Sequence, residues 1–295
     1  MKANAALVIA SVLLSAALPA QAVPYGVLLE SNGDRGANNE VYALTYDQWT
    51  DALANNIATQ SFTPLDINPL FGLTGFTFDG SVYRMLLESN GDRGANNEIY
   101  ALTYNSWNDV LTNTIAEQYF LPLDINPVFS AAGLMYDGIA YRMLLESDAD
   151  RGANNEIYAL TYNTWADVLT NTISEQYFLP LDINPVFSMA DVTWDGTAYR
   201  MLLESNADRG ANNEIYALTY NSWADLVANN IGPQSFTPLD INPVFSIGGF
   251  GALAFPTTSE PPRNVPEPST LALFVLGLAW LAKARRGLGA APPAM

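Results

Sequence analysis

Apolar and polar positions alternate with the period of a β-strand along much of this chain, and turn residues cut the alternation at regular intervals. One stretch shows the order. Phe76-Thr77-Phe78 begins an alternating run, and Asp79-Gly80 follows as a two-residue hairpin signal, because glycine tolerates the positive φ of a type I′ turn. Ser81 to Leu87 predicts a strand. The polar stretch Ser89 to Asn97 predicts a loop, its Gly and Asn suited to left-handed backbone. Glu98 to Tyr104 predicts the next strand, and Asn105 or Ser106 is a candidate cap for a short helix over Trp107 to Thr114. Tyr119 to Phe129 is apolar but broken by Pro122 and Pro127. That fits an edge strand or an extended connection, since proline cannot donate to a ladder.

The same succession returns every 58 residues: Glu30, Glu88, Glu146 and Glu204 mark one position, and Trp49, Trp107, Trp165 and Trp223 mark another. A fixed period of this size means one supersecondary unit stacked several times, and a lone unit of this length has a marginal core, so the four must share one. The ends of the array suggest how. No strand precedes Tyr25-Gly26-Val27-Leu28 in the first unit, whereas Phe245 to Phe250 aligns with Phe129 to Leu134 after the last. The expectation is an all-β fold: four tandem repeats over residues 23–255, forming a four-bladed β-propeller closed by the C-terminal strand. The alternative is an open β-repeat array, which would ordinarily carry polar terminal caps. Arg84, Arg142 and Arg200 fit the ring, because Gly26 stands at their place in the first unit. From Tyr83 to Ser130 and from Tyr141 to Ser188 the second and third units differ at 5 of 48 positions, so likeness between copies says little about importance. The segment that does vary, Gly75 to Phe78 against Gly133 to Tyr136 and Asp191 to Trp194, reads as drift at exposed positions. The competing reading is a ligand-facing strand tuned copy by copy.

Composition narrows the chemistry. The 295 residues include no Cys and no His, which excludes disulfides, thiolate and imidazole metal sites, Cys nucleophiles and His-based triads. The formal charge is −18, and between Val23 and Pro262 there are 29 acidic residues against 7 Arg, for −22. Such a surface repels phosphate backbones, so no nucleic acid partner is expected.

Both ends read as addresses. Met1-Lys2 leads into an apolar run from Ala5 to Leu18, and Ala20-Gln21-Ala22 supplies small residues for cleavage, so residues 1–22 are expected to be a secretory signal peptide. After the repeats, residues 256–264 form a Pro-rich linker. Then come Val265-Pro266-Glu267-Pro268, an apolar stretch from Leu271 to Ala282, a basic cluster of Lys283, Arg285 and Arg286, and a tail over residues 287–295. The apolar stretch is shorter than the ~20 residues of a stable transmembrane helix. Motif, apolar segment and basic cluster in this order closely resemble the PEP-CTERM protein-sorting domain, over residues 265–286. That resemblance implies a Gram-negative bacterium and export through the secretory translocon. It also implies an inner-membrane intermediate, with the basic end in the cytoplasm, and processing by an exosortase. The final place would be the cell surface or the extracellular matrix. The tail departs from the pattern, since such proteins usually stop soon after the basic cluster.

The oxygen-rich loops are the candidates for chemistry. The sets are Glu30, Asp34 and Glu40; Glu88, Asp92 and Glu98; Glu204, Asp208 and Glu214; and the richer third set Glu146, Asp148, Asp150, Asn154 and Glu156. They offer hard oxygen ligands only, which suit calcium. Against a cation, Arg35, Arg93, Arg151 and Arg209 can pair these carboxylates internally, and the spacing does not match the twelve-residue calcium loop. No other cofactor is expected. Nearly every acid has three counterparts, such as Asp66, Asp124, Asp182 and Asp240, whereas a carboxylate-dependent hydrolase needs one asymmetric pair. Trp49, Trp107, Trp165 and Trp223, with Tyr42, Tyr100, Tyr158 and Tyr216, read as core pegs rather than sugar platforms. The expectation is a non-enzymatic exported protein whose repeats bind exopolysaccharide or surface proteins multivalently. A glycoside hydrolase acting in the matrix is the alternative.

Overall fold

The computed structural model describes residues 22–31, 39–65, 71–89, 97–123, 129–147, 155–181, 187–205, 213–239 and 245–255. Apart from Ala22, the expected signal peptide lies outside the described residues, as do the linker, the sorting segment and the tail. Each repeat supplies strands and a one-turn helix. The first gives β1 (Tyr25–Ser31), β2 (Asn39–Tyr46), α1 (Trp49–Leu53) and β3 (Thr59–Leu65). The second gives β4 (Phe71–Phe78), β5 (Tyr83–Ser89), β6 (Asn97–Tyr104), α2 (Trp107–Leu111) and β7 (Glu117–Leu123). The third gives β8 (Phe129–Tyr136), β9 (Tyr141–Ser147), β10 (Asn155–Tyr162), α3 (Trp165–Leu169) and β11 (Glu175–Leu181). The fourth gives β12 (Phe187–Trp194), β13 (Tyr199–Ser205), β14 (Asn213–Tyr220), α4 (Trp223–Val227) and β15 (Gln234–Leu239), and β16 (Phe245–Ala252) ends the array.

The strands form four antiparallel sheets in the orders β16-β1-β2-β3, β4-β5-β6-β7, β8-β9-β10-β11 and β12-β13-β14-β15. The inner strands pack in a ring, β4 on β8, β8 on β12, β12 on β16 and β16 on β4. This is a four-bladed β-propeller, and β16 completes the first blade by pairing along the whole of β1, from Tyr25 beside Ala252 to Ser31 beside Phe245. The ring expectation holds, and the open row does not.

Period-2 patterning explains why a 58-residue unit needs neighbours. In β5, Tyr83, Met85 and Leu87 pack toward the first blade with Leu28, Val41 and Ala43. The intervening Leu86 packs toward the third blade with Met143, Leu145 and Leu160. A strand buried on both faces cannot satisfy either one alone, so the core is four clusters, each between adjacent blades. The prolines fall in the outermost strands, Pro64 in β3 and Pro122 in β7, where an absent N–H costs no ladder bond.

Three local expectations shift. The hairpin turn is centred one residue later than Asp79-Gly80: Asp79 N–H donates to the Val82 carbonyl (3.0 Å), and positive φ is found at Gly80 (92°) but not at Ser81, the type II′ pattern. Asp79 instead folds its side chain back, its Oδ1 accepting from Ser81 N and Val82 N. The helix begins as expected, with Ser106 Oγ accepting from Asp109 N, but stops at Leu111. Asn113 terminates it in left-handed backbone (φ 50°), and the Tyr104 hydroxyl fixes that residue by donating to its Oδ1 (2.9 Å). Lastly, the varying segments are not exposed. They are the inner strands, where Phe76, Leu134, Asp191, Val192 and Phe250 are all 0 % exposed.

Candidate functional site

Strand direction gives the ring two unlike faces. The Asp-Gly turns, the helices and both ends of the described repeat domain lie on one face, beside Tyr25, Tyr46 and Ala252. The strand ends that border residues 32–38, 66–70 and their counterparts lie on the other, where Ser31 pairs with Phe245 and Asn39 with Leu65. The chain reaches the first face at Phe255, whose ring lies 5.7 Å from Phe78 and 6.2 Å from Tyr136.

On the face carrying the chain ends, a latch joins blade to blade. Asp79 Oδ2 accepts from Arg84 Nε (3.0 Å) in its own blade and from the Tyr141 hydroxyl (2.8 Å) in the next. Asp137 repeats this with Arg142 Nε and the Tyr199 hydroxyl, and Asp195 with Arg200 Nε and the Tyr25 hydroxyl (both 2.7 Å). Each guanidinium also lies over a Trp of the next blade: Arg84 over Trp165 (4.7 Å), Arg142 over Trp223 (4.6 Å) and Arg200 over Trp49 (5.1 Å). Burial pushes the Asp79 carboxyl up, but Ser81, Val82 and Tyr141 more than offset it and hold it below the usual range. Asp195 behaves alike, with Thr197, Tyr25 and Arg200 outweighing burial. Burial first, then the facing carboxylate, raises the phenols of Tyr25, Tyr141 and Tyr199. Near neutral pH Asp79 and Asp195 are thus held ionised and the three phenols neutral.

The fourth interface differs because the chain is open there. Leu253 occupies the latch Asp position and Gly26 the Arg position, and Tyr83 donates instead to the Leu253 carbonyl (2.8 Å). A Cβ on Gly26 would come within 3.0 Å of the Trp107 ring and 2.8 Å of the Leu253 side chain, so Leu253 fills the space beside Gly26.

Toward the opposite face a second set of contacts ties the blades. Glu30 Oε2 accepts from Leu73 N (3.1 Å), Glu146 from Met189 N (3.3 Å to Oε2) and Glu204 Oε2 from Ile247 N (3.3 Å), each donor standing on the inner strand of the following blade. Glu30, Glu88, Glu146 and Glu204 are all buried. The first acid of each sequence-predicted calcium set thus lies inside the fold. Glu40, Glu98, Glu156 and Glu214 occupy the second positions of β2, β6, β10 and β14, opposite Pro64, Pro122, Pro180 and Pro238. Asp34, Asp92, Asp148, Asp150, Asn154 and Asp208 lie outside the described residues. Among the described residues no three acidic side chains gather as a metal site. The tryptophans are interface pegs, and Tyr42 and Tyr100 are half-buried, edge-on to Phe62 and Phe120 (5.2 Å each).

Sequence reasoning missed the latch and, at the centre of the ring, Asp191. The signal was available in the repeat itself: Gly75, Gly133 and Gly249 hold a 58-residue step that Asp191 alone breaks.

The remaining candidates are in the C-terminal segment, beyond the described residues. Residues 264–286 match the PEP-CTERM protein-sorting motif. The match covers Val265-Pro266-Glu267-Pro268 and the basic Lys283, Arg285 and Arg286, and it concerns sorting rather than the repeats. It implies an exported protein of a Gram-negative bacterium, recognised by an exosortase and processed at the membrane. A comparison with curated proteins finds no match to this chain. Among the described residues no helix is long and apolar enough to cross a membrane.

Proposed function

We propose that this is a non-enzymatic protein of the cell surface or extracellular matrix, whose propeller binds polysaccharide or a partner protein through the face opposite its chain ends. The observation that carries the reading is the polarity of the ring. Phe255, the last described residue, lies on the face that holds Tyr25, and the strand ends bordering the repeated connections lie on the opposite face. Four near-equivalent sets of strand ends on one side suit repeated weak contacts with a repetitive ligand, where avidity arises without any single strong site. Buried carboxylates of the described residues serve the blade interfaces. Asp79, Asp137 and Asp195 bind Arg and Tyr, while Glu30, Glu146 and Glu204 bind backbone N–H groups.

The test is binding of residues 23–255 to a glycan array and to exopolysaccharide, with a pull-down from the surface-protein fraction in parallel. Retention on a polymer that is lost on competition with soluble oligosaccharide supports the polysaccharide form. Retention of one surface protein supports the other form. Binding to neither removes the proposal, and hydrolysis of any of these polymers would replace it with the glycosidase.

A further inference from the structure

We propose that the propeller axis is an anion-binding site made of four backbone N–H groups, one from each inner strand, and that the Asp191 side chain is its built-in ligand, clamping the four blades into a closed ring. The geometry is direct. Asp191 Oδ1 accepts from Val192 N (2.7 Å) and Leu134 N (3.3 Å), and Oδ2 from Phe250 N (2.7 Å) and Phe76 N (3.1 Å). These donors belong to β12, β8, β16 and β4, so one carboxylate touches every blade, including the strand that closes the ring.

The site exists because of how inner strands are built. Each pairs with a neighbour along one edge only and turns the other toward the axis, where unpaired N–H groups away from water are costly. At three levels along that edge side chains supply the missing acceptors. Glutamates of the preceding blade serve Leu73, Met189 and Ile247, and Thr77 and Thr193 hydroxyls serve Tyr136 N (3.0 Å) and Ala252 N (3.1 Å). The middle level lies on the axis itself, where four donors meet and no neighbour can reach. An ionised carboxylate has two oxygens with about four lone-pair sites, matching the four donors. Asp191 is 0 % exposed. Burial raises its carboxyl well above the ordinary carboxylate range, although the four N–H bonds pull it down. A proton on either oxygen would face two N–H groups, so the donor set fits the ionised form.

Only one copy can provide the ligand. A Cβ on Gly75 would sit 2.8 Å from Leu134 N, one on Gly133 2.9 Å from Asp191 Oδ1, and one on Gly249 2.8 Å from the Phe76 Cβ. The axis therefore holds one side chain and three glycines. Replacing Asp191 with glycine would leave four convergent donors around a vacated carboxyl group, a setting for a small inorganic anion such as chloride.

The experiment compares the full chain with Asp191→Gly and Asp191→Asn in sodium chloride and in sodium gluconate of equal ionic strength, the gluconate anion being too large for the axis. The readouts are the melting temperature and the yield of refolding from urea. Expected results are that wild type shows no chloride-specific shift and that both variants melt below it. Asp191→Gly, and not Asp191→Asn, should then regain about 5 °C or more in molar chloride, or refold in chloride and not in gluconate. Asp191→Asn keeps the shape but turns an NH2 group toward two donors, and its side chain fills the space chloride would need. The proposal is overturned if either variant melts with wild type, or if chloride and gluconate act alike on Asp191→Gly in both readouts.

Discussion

Removing β16 should unfold the whole ring rather than shorten it. In the chain ending at Pro243 the first blade loses its inner strand, and with it Ile247, Phe250 and Leu253, which are 7, 0 and 8 % exposed. Burying side chains of this kind contributes roughly 1.5–3 kcal/mol each, so about 5–9 kcal/mol is withdrawn. Four hydrogen-bonded contacts also go: Ile247 N to Glu204, Phe250 N to Asp191, Ala252 N to Thr193 and Tyr83 to the Leu253 carbonyl. The acceptors left behind inside the ring add to the penalty. Domains are stable by only about 5–15 kcal/mol, so the deletion should exhaust that margin. The assay is thermal and urea unfolding of residues 23–255 against residues 23–243, followed by circular dichroism. A permuted chain provides the control. Leu253 N donates to the Pro24 carbonyl (2.8 Å), so the two ends already lie side by side. A chain that begins at Phe245 and enters Tyr25 through an Asp-Gly-Ser-Val turn should refold with an ordinary hairpin in the first blade. Cooperative unfolding at an unchanged midpoint after deletion would refute the closure argument. So would a permuted chain that fails to fold.

Other perturbations should report on the interfaces and the address. Asp79 and Asp195 are held below the usual carboxylate range, so their stabilisation is complete above about pH 4 and is lost as pH falls through their folded values. Melting temperature should therefore drop as pH falls below about 4, and Asp195→Asn should flatten part of that slope while lowering stability at pH 7. A cleft between the fourth and first blades is lined by Val27, Trp49, Ala52, Leu202 and Phe250, where the other copies have Met85 and Val110 or their equivalents. Ala52→Val adds two buried carbons at about 0.8 kcal/mol each, less about 0.5 kcal/mol of helix propensity, so a gain near 1 kcal/mol in urea melts is expected. Replacing Pro266, Glu267 and Pro268 by alanine should leave the protein exported but unprocessed, read as a membrane-retained species of higher mass in cell fractions. Millimolar calcium separates the two readings of the acidic connections. Since Glu30, Glu146 and Glu204 already serve backbone donors, no rise in melting temperature beyond that of equal ionic strength is expected.

Much of this fold was legible in the sequence because its signals are local and repeated. Alternation marked β5 and β6, the prolines marked β3 and β7 as edges, and the unmatched strand after the last repeat pointed to closure. What stayed hidden depends on contacts between blades. Tyr141 looks like an ordinary strand residue until its hydroxyl is found on Asp79, 62 positions earlier. Glu88 and its counterparts looked like the start of an exposed acidic loop, but they end a strand whose alternate positions face the next blade, so the fold draws them inside. The inner strands looked variable and therefore exposed. They are buried instead, Val192, Phe76, Leu134 and Phe250 each packing into a different one of the four clusters between blades.

That last point bears on how a ring of near-identical copies can exist at all. A fourfold repeat imposes the same residue at every equivalent position, but this ring departs from sameness in two places. The axis is one: a side chain there excludes three others, so Asp191 requires glycine at 75, 133 and 249. The seam is the other. With Leu253 in place a side chain at position 26 would crowd its Cδ2 methyl, and without Arg an Asp at position 253 would be a buried carboxylate lacking its cation. The seam accordingly replaces both partners together, Gly26 for Arg and Leu253 for Asp, and keeps only Tyr83, whose hydroxyl finds a backbone carbonyl instead. The departure at the axis is thus required by the geometry of closure and the two at the seam form a matched pair, while the five differences between Tyr83 to Ser130 and Tyr141 to Ser188 lie outside these two places.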